Sequence, residues 1–429
     1  MREASEWAAV DDLQAQPLST RFKTTRARSL TLCEPLTPED MMVQSCAEAS
    51  PVKWHLAHTA WFFESFILRE FLPGYRQFNE DFPWLFNSYY QSFAAFPDKK
   101  LRASFSRPGI DAVLDYREHV DRGVDRLLEH LSDAAPEHEA LRRIELGVNH
   151  EEQHQELVLT DILHAFFTNP LRPAYRPLDS IEPASEAPEL EFTGFAGGLH
   201  QAGHDGDGFC FDNELPRHRV FLEPFSLGQR LVTCGEFAAF IADGGYQRPE
   251  LWLSAGWDAV KANSWHAPLY WNNGEGGWKV FTLRGEMALA ELENAPVSHV
   301  SFFEAEAYAR WAGRRLPTEF EWEAALGERL VCGNLLDTGA LRPLPAEEGG
   351  GIAQIWGDCW EWTASAYLGY PGFQPLNGAL GEYNGKFMSG QMVLRGGSCA
   401  TPAAHIRGSY RNFFPPETRW QFSGIRLAL

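Results

Sequence analysis

The chain reads as an α+β protein in two parts, a helical bundle followed by a loop-rich mixed domain, and three observations predict this. Apolar residues recur at helical spacing up to about residue 168. A stretch rich in proline, glutamate and alanine, without periodicity, then covers 170–190. Beyond it short apolar runs alternate with glycines, and 11 of the 15 tryptophans fall between Trp252 and Trp420, which suits a mixed domain with few long helices. The expected organisation is a bundle over 1–169, a linker over 170–190 and a second domain over 191–429. A length of 429 residues agrees, since it exceeds what one hydrophobic core usually holds.

In chain order, Thr37-Pro38 and Ser50-Pro51 each place a capping residue before proline, opening a short helical segment and then a longer helix from Val52 to Leu72. That helix carries Trp54, Trp61, Phe62 and Phe66, an apolar surface too broad for a solvent-facing helix, so it belongs inside a bundle. Asn79 to Tyr90 is aromatic but punctuated like a loop. Helical spacing returns from Ile110 to Leu131, and a helix containing His150 and His154 ends near Thr168. Four helices predict a bundle, whose core is a usual place for metal sites. In the second domain Ser301 caps a helix to Trp311 with Glu304 as its capping-box partner, and Thr318 with Glu321 repeats the device.

Charge narrows the partners. With 37 basic and 58 acidic residues the net charge is −21, which disfavours nucleic acid or an anionic membrane surface and favours small molecules. Nowhere do 18 uncharged apolar residues follow one another, and the first residues lack the apolar run of a secretory signal, so the expected location is the cytoplasm. The cysteines at 33, 46, 210, 234, 332, 359 and 399 are dispersed and odd in number, which suggests neither a disulfide framework nor a structural zinc site. Nothing resembles a phosphate-cradling loop or a dinucleotide fingerprint.

The chemistry starts from His150 and His154, which at i and i+4 share one helix face with Cβ atoms roughly 5–6 Å apart, so that two imidazoles can converge on one ion. Two histidines are half a metal site. His55 and His58, set among aromatics on the Val52 helix, compete for the place of a third.

Three stretches identify the second domain. Tyr308 to Glu323, Trp356 to Thr363 and Val393 to Ser398 resemble the signature series of the formylglycine-generating-enzyme-type domain, a C-type-lectin-like fold. The bundle, with Leu56-Ala57-His58 and its histidine pair, resembles the DinB-like domain. Joined in this order they resemble the EgtB-type sulfoxide synthases of ergothioneine biosynthesis, from about residue 20 to the end.

The resemblance implies a non-haem iron(II) held by His58, His150 and His154, with hercynine, cysteine and O2 as substrates. A three-histidine face leaves roughly three open positions on an octahedral ion, enough for all three. It implies that Asn412, Phe413 and Phe414 bind hercynine, the rings facing its trimethylammonium group, and that Gln153 contacts the substrate imidazole. That places the active site in a cleft between domains. Tyr89 and Tyr90 become proton donors for the oxygen chemistry, with Tyr90 leading. The Asn87 to Tyr90 motif and the Glu382 to Met388 segment resemble the branch that uses free cysteine, with γ-glutamylcysteine as the alternative donor. Lys100, Arg102 and Arg107 are candidates for the cysteine carboxylate, Arg102 foremost. Ovothiol-type synthases, which bond histidine at C5, share both domains and are the other alternative.

Overall fold

The computed structural model describes residues 15–93, 95–178, 186–206, 208–349 and 351–429. Residues 179–185 of the expected linker lie outside the described residues. The chain divides into two compact units: Met1–Leu171 with Leu376–Tyr383, and Arg172–Pro375 with Asn384–Leu429. A short segment from late in the sequence therefore belongs to the helical unit.

Four long helices build the first unit: α1 (Leu18–Thr31), α2 (Val52–Phe63), α3 (Ile110–His130) and α4 (Glu139–Thr168). Every residue of α2 is buried, as its all-round aromatic surface requires. The helix runs on through a π-turn at Glu64–Leu68 into Arg69–Phe71, matching the expected span to Leu72. At the π-turn the fully buried Glu64 accepts hydrogen bonds from the Tyr75 and Tyr116 hydroxyls (2.7 and 2.8 Å). Two expectations change. The segment after Thr37 is only a 3-10 turn, Asp40–Met42, because Thr37 and Asp40 cap each other and no apolar stripe follows to be buried. The fourth bundle helix is instead α1, whose Phe22 meets Phe63 edge-on at 5.1 Å. The aromatic loop contains one helical turn, Phe82–Leu85, with Pro83 in its first turn.

Helix α4 meets α2 at Gly147. A Cβ there would come within 2.6 Å of the Phe63 ring, so the missing side chain sets how closely the two histidine-bearing helices approach. One turn along α4 from Gly147 the buried Glu151 carboxylate accepts from Arg26 of α1 (2.7 Å) and Arg117 of α3 (2.8 Å). Burial alone would push that carboxyl up, but Arg117 and Arg26 hold it down at about 2.

The second unit is assembled from small sheets. Strands β1 (Phe192–Phe195) and β4 (Phe225–Gly228) pair antiparallel, as do β2 (Gly198–Ala202) and β3 (His218–Leu222). A meander joins β5 (Trp271–Gly274), β6 (Gly277–Thr282) and β7 (Gly285–Ala288). The largest sheet has the order β10-β9-β8-β11, from β8 (Trp360–Ala366), β9 (Met392–Arg395), β10 (Asn412–Phe414) and β11 (Ser423–Gly424); only β8 with β11 is parallel. The two expected capping boxes open the helices Phe302–Trp311 and Glu319–Leu326. Large side chains do the work of long elements: Trp322, Trp360 and Trp362 are fully buried, and Trp322 donates to Glu361, which also holds the buried Arg426.

Gly147→Ala removes a helix-interior glycine, which alone would favour α4 by about 1 kcal/mol. The rigid Phe63 ring makes the site overpacked, a cost of about 1–3 kcal/mol. We expect net destabilisation in chemical denaturation, and a more stable variant would show that α2 and α4 do not depend on this close approach.

Candidate metal centre

His150 and His154 project from α4 one turn apart, and His58 comes from α2, where Gly147 lets the helices close. Their candidate ligand nitrogens lie within 4.8 Å of one another, and among the described residues this is the one group of three or more metal-ligating side chains. Nitrogens about 2.1 Å from a shared ion sit closer together, about 3 Å apart when cis, so a bound ion would draw the three rings inward. The ring centroids are 4.6 to 5.1 Å apart.

The surroundings favour neutral imidazoles. Burial first, then the neighbouring His150, pushes His58 well below the usual histidine range. Burial, His150 and His58 do the same to His154, and burial brings His150 to about 4. Neutral imidazole is the metal-binding form. His58 is also fixed in plane: Trp54 and Trp61 lie parallel to it, each at 14°, with centroids 4.4 and 5.1 Å away. Its Nδ1 is 2.6 Å from the Phe86 carbonyl, which only accepts, so Nδ1 carries the proton and Nε2 holds the lone pair. His150 stacks on Phe62 at 4.5 Å and keeps a buried Nδ1 without a hydrogen-bond partner. A cluster of neutral nitrogens, one of them orphaned, fits a divalent transition metal.

His55 is not part of this cluster. Its Nδ1 lies 2.7 Å from His154 Nδ1, and its Nε2 lies 3.0 Å from Asp161.

The other expected site residues fall in four places. Gln153 is half-buried on α4 beside His154. Tyr90 is buried against Trp61, Phe62 and Phe66, and Tyr89 stands 6.1 Å from Tyr383, whose ring lies edge-on to His150 at 6.4 Å. Tyr383 was marked in the sequence only as part of a branch-specific segment; its place beside His150 could not be read from a position 233 residues downstream. Glu382 fastens this segment to the tyrosine loop by accepting from the Gln91 and Ser92 amides. Of the three candidate cations Lys100 and Arg107 are exposed, whereas Arg102 is buried, 3.4 Å over the Trp54 ring, and donates to Ser50 and Ser88. Asn412, Phe413 and Phe414 form β10 in the second unit. Strand alternation sends the two phenylalanines apart: Phe413 stacks on Tyr367 at 4.1 Å and Phe414 meets Trp420 edge-on at 5.5 Å.

Comparison with known proteins follows the same division. Residues 21–158 match the DinB superfamily, and residues 180–429 match the sulfatase-modifying factor enzyme 1-like domain. The hercynine oxygenase of Mycolicibacterium smegmatis is 32% identical over 96% of this chain and 98% of its own, and that of Mycobacterium tuberculosis 33% identical over the same shares. The chain belongs to the hercynine oxygenase family. A formylglycine-generating enzyme from Streptomyces coelicolor is also 32% identical, but over 45% of this chain and 73% of its own. The match to the hercynine oxygenases extends over nearly the whole chain, including the helical unit that carries the three histidines. The protein is an oxygen-using oxidoreductase with a histidine cluster suited to a metal.

The depressed histidines have a consequence for stability. Unfolded, they titrate near ~6.5; folded, they remain neutral well below that. The unfolded chain therefore binds more protons below ~6.5, and stability falls with falling pH. The metal-free protein is expected to lose melting temperature between about pH 7 and 5, and the double variant His58→Gln, His150→Gln to lose less. Equal slopes for the two proteins would show that these imidazoles are not held neutral by burial.

Proposed function

We propose that the protein is an iron(II)- and O2-dependent sulfoxide synthase that joins the sulfur of cysteine to C2 of the hercynine imidazole, giving hercynylcysteine sulfoxide for ergothioneine biosynthesis. The observation that carries this reading is a three-histidine cluster, two members buried and the third half-buried, in a chain similar over nearly its whole length to hercynine oxygenases. The balance is complete with O2 as the only oxidant. The C2–H and S–H hydrogens leave as the C–S bond forms, one oxygen atom enters as the sulfoxide, and the other departs with the two hydrogens as water.

Iron bound by His58, His150 and His154 would supply the electron transfer to O2 and the open positions at which the substrates meet. The remaining work belongs to the chain. Gln153, beside His154, is assigned to the substrate imidazole, and Asn412 with the β10 phenylalanines to the rest of hercynine. Arg102 is assigned to the cysteine carboxylate; its planar, buried guanidinium suits a bidentate acceptor. Cysteine rather than γ-glutamylcysteine is the proposed donor, on the Asn87 to Tyr90 motif. Trp54 and Trp61 shield His58 itself from water. Tyr90, with Tyr89 as neighbour or substitute, holds the proton that reaches the reacting oxygen. A phenol gives up such a proton when a strongly basic oxygen develops beside it.

Anaerobic reconstitution with iron(II), followed by O2, hercynine and cysteine, with mass spectrometry of the products, tests the reaction as a whole. Without the phenolic proton, cysteine is expected to be oxygenated to its sulfinate instead of bonded to carbon. Tyr90→Phe, or the double variant with Tyr89→Phe, should therefore shift product from sulfoxide to sulfinate. Unchanged rate and ratio in the double variant would remove both tyrosines from this role, and Tyr383→Phe, altering the ring beside His150, is then the variant to read.

Because the β10 rings diverge, one of them is expected to dominate recognition of the trimethylammonium group. Phe413→Leu and Phe414→Leu, made singly, keep apolar bulk and remove the ring quadrupole. One should raise the KM for hercynine about 2- to 30-fold, the equivalent of ~0.5–2 kcal/mol, with little change for histidine. Equal losses for hercynine and histidine in both variants would return the rings to packing alone.

A further inference from the structure

Helix α2 presents two histidines to α4, three residues apart, and they face different partners. His58 joins the ligand cluster, and His55 stands behind it, between two side chains of α4. Those two, His154 and Asp161, are seven residues apart and so lie on one face of α4, with His55 inserted between them. All three are largely or fully shielded, and Leu32, Leu56 and Val158 line the small cavity beside the pair.

The direction of each hydrogen bond follows from what the atoms can do. Asp161 Oδ2 already accepts the Ser50 amide at 2.8 Å, so at 3.0 Å it accepts from His55 as well, and His55 carries its proton on Nε2. A neutral His55 then offers a lone pair at Nδ1. His154 Nδ1, 2.7 Å away, must be the donor, which leaves the lone pair of His154 on Nε2. His58 reaches the same tautomer by a different route, through the Phe86 carbonyl.

We propose that Asp161 and His55 are positioning residues for the metal: a carboxylate-imidazole relay that holds His154 in the Nδ1–H tautomer, turns its Nε2 to the ion and makes it a stronger donor than His58, whose proton meets only a neutral amide carbonyl. Carboxylate partners of ligating histidines act in this way when they touch the ligand directly; here a second imidazole is interposed. The inference rests on the metal-centre reading above, and it also specifies a proton position in the metal-free protein that can be read independently.

The test uses the full-length protein labelled with 15N-histidine, first metal-free and then with zinc(II) alone as a diamagnetic probe. In the parent, His154 Nδ1 should give a protonated, pyrrole-type nitrogen signal in both states. His55→Phe keeps ring bulk and removes the acceptor, and its zinc affinity, measured by competition with a chromophoric chelator, should fall about 10- to 100-fold with the His154 tautomer no longer fixed. His55→Gln returns a carbonyl oxygen to accept from His154 and an amide to donate to Asp161, and should bind within about threefold of the parent. A purely structural role for His55 would not be rescued in this ordered way. Parent-like zinc affinity in His55→Phe, or an unprotonated His154 Nδ1 in the metal-free parent, overturns the proposal. If zinc affinity is instead indifferent to His150→Ala, the metal-centre reading fails, and the metal-free spectrum still decides whether the relay exists.

Discussion

The buried carboxylate of Glu151 is the contact on which the helical unit turns. Arg26 from α1 and Arg117 from α3 converge on it, so three helices are tied at one point and α4 has one permitted rotation about its axis. A buried ion cluster contributes little net stability against an apolar alternative, but leaving any one of its charges unpaired is costly, which makes it a device for register. Adjacent to Glu151 in sequence, His150 is thereby directed away from the ion cluster and toward α2. The same rotation brings His154 and Asp161 to face His55.

Given that rotation, packing supplies the electrostatics. Gly147 allows α2 to approach until the imidazoles meet, and the aromatic residues of α2 then enclose them. Arg102, Trp54, His58 and Trp61 form a column in which each plane constrains the next. Enclosure penalises the imidazolium form of every histidine in the cluster, which leaves these candidate ligands in the form that binds a cation. The arrangement exchanges acid stability for metal readiness.

The second unit achieves order by other means. Its strands are short, and buried indoles with paired charges such as Glu361–Arg426 and Glu319–Arg411 take the place of long regular elements. Within it, β10 shows how a three-residue strand divides its side chains. Consecutive phenylalanines that look equivalent in the sequence are sent to opposite faces by the pleat, and each meets a different aromatic neighbour.

Much of this was legible in the residues themselves. The span of α2, the histidine face of α4 and both capping boxes depend on local spacing and local hydrogen bonds, which neighbouring residues determine without help from the rest of the chain. The motifs sufficed for the family. What neighbouring residues could not determine were contacts between groups far apart in sequence. Whether His55 or His58 joined the cluster depended on the rotation of α2 against α4, since both histidines lie on one buried helix. The choice of α1 as fourth helix depended on an apolar and ionic face that only Phe63 and Glu151 reveal. Tyr383 reached His150 because the segment Leu376–Tyr383 folds with the helices rather than with its neighbours in sequence. Local patterns specify elements because their interactions close within a few residues; the site was decided by burial and pairing across more than a hundred, which only the packed chain can settle.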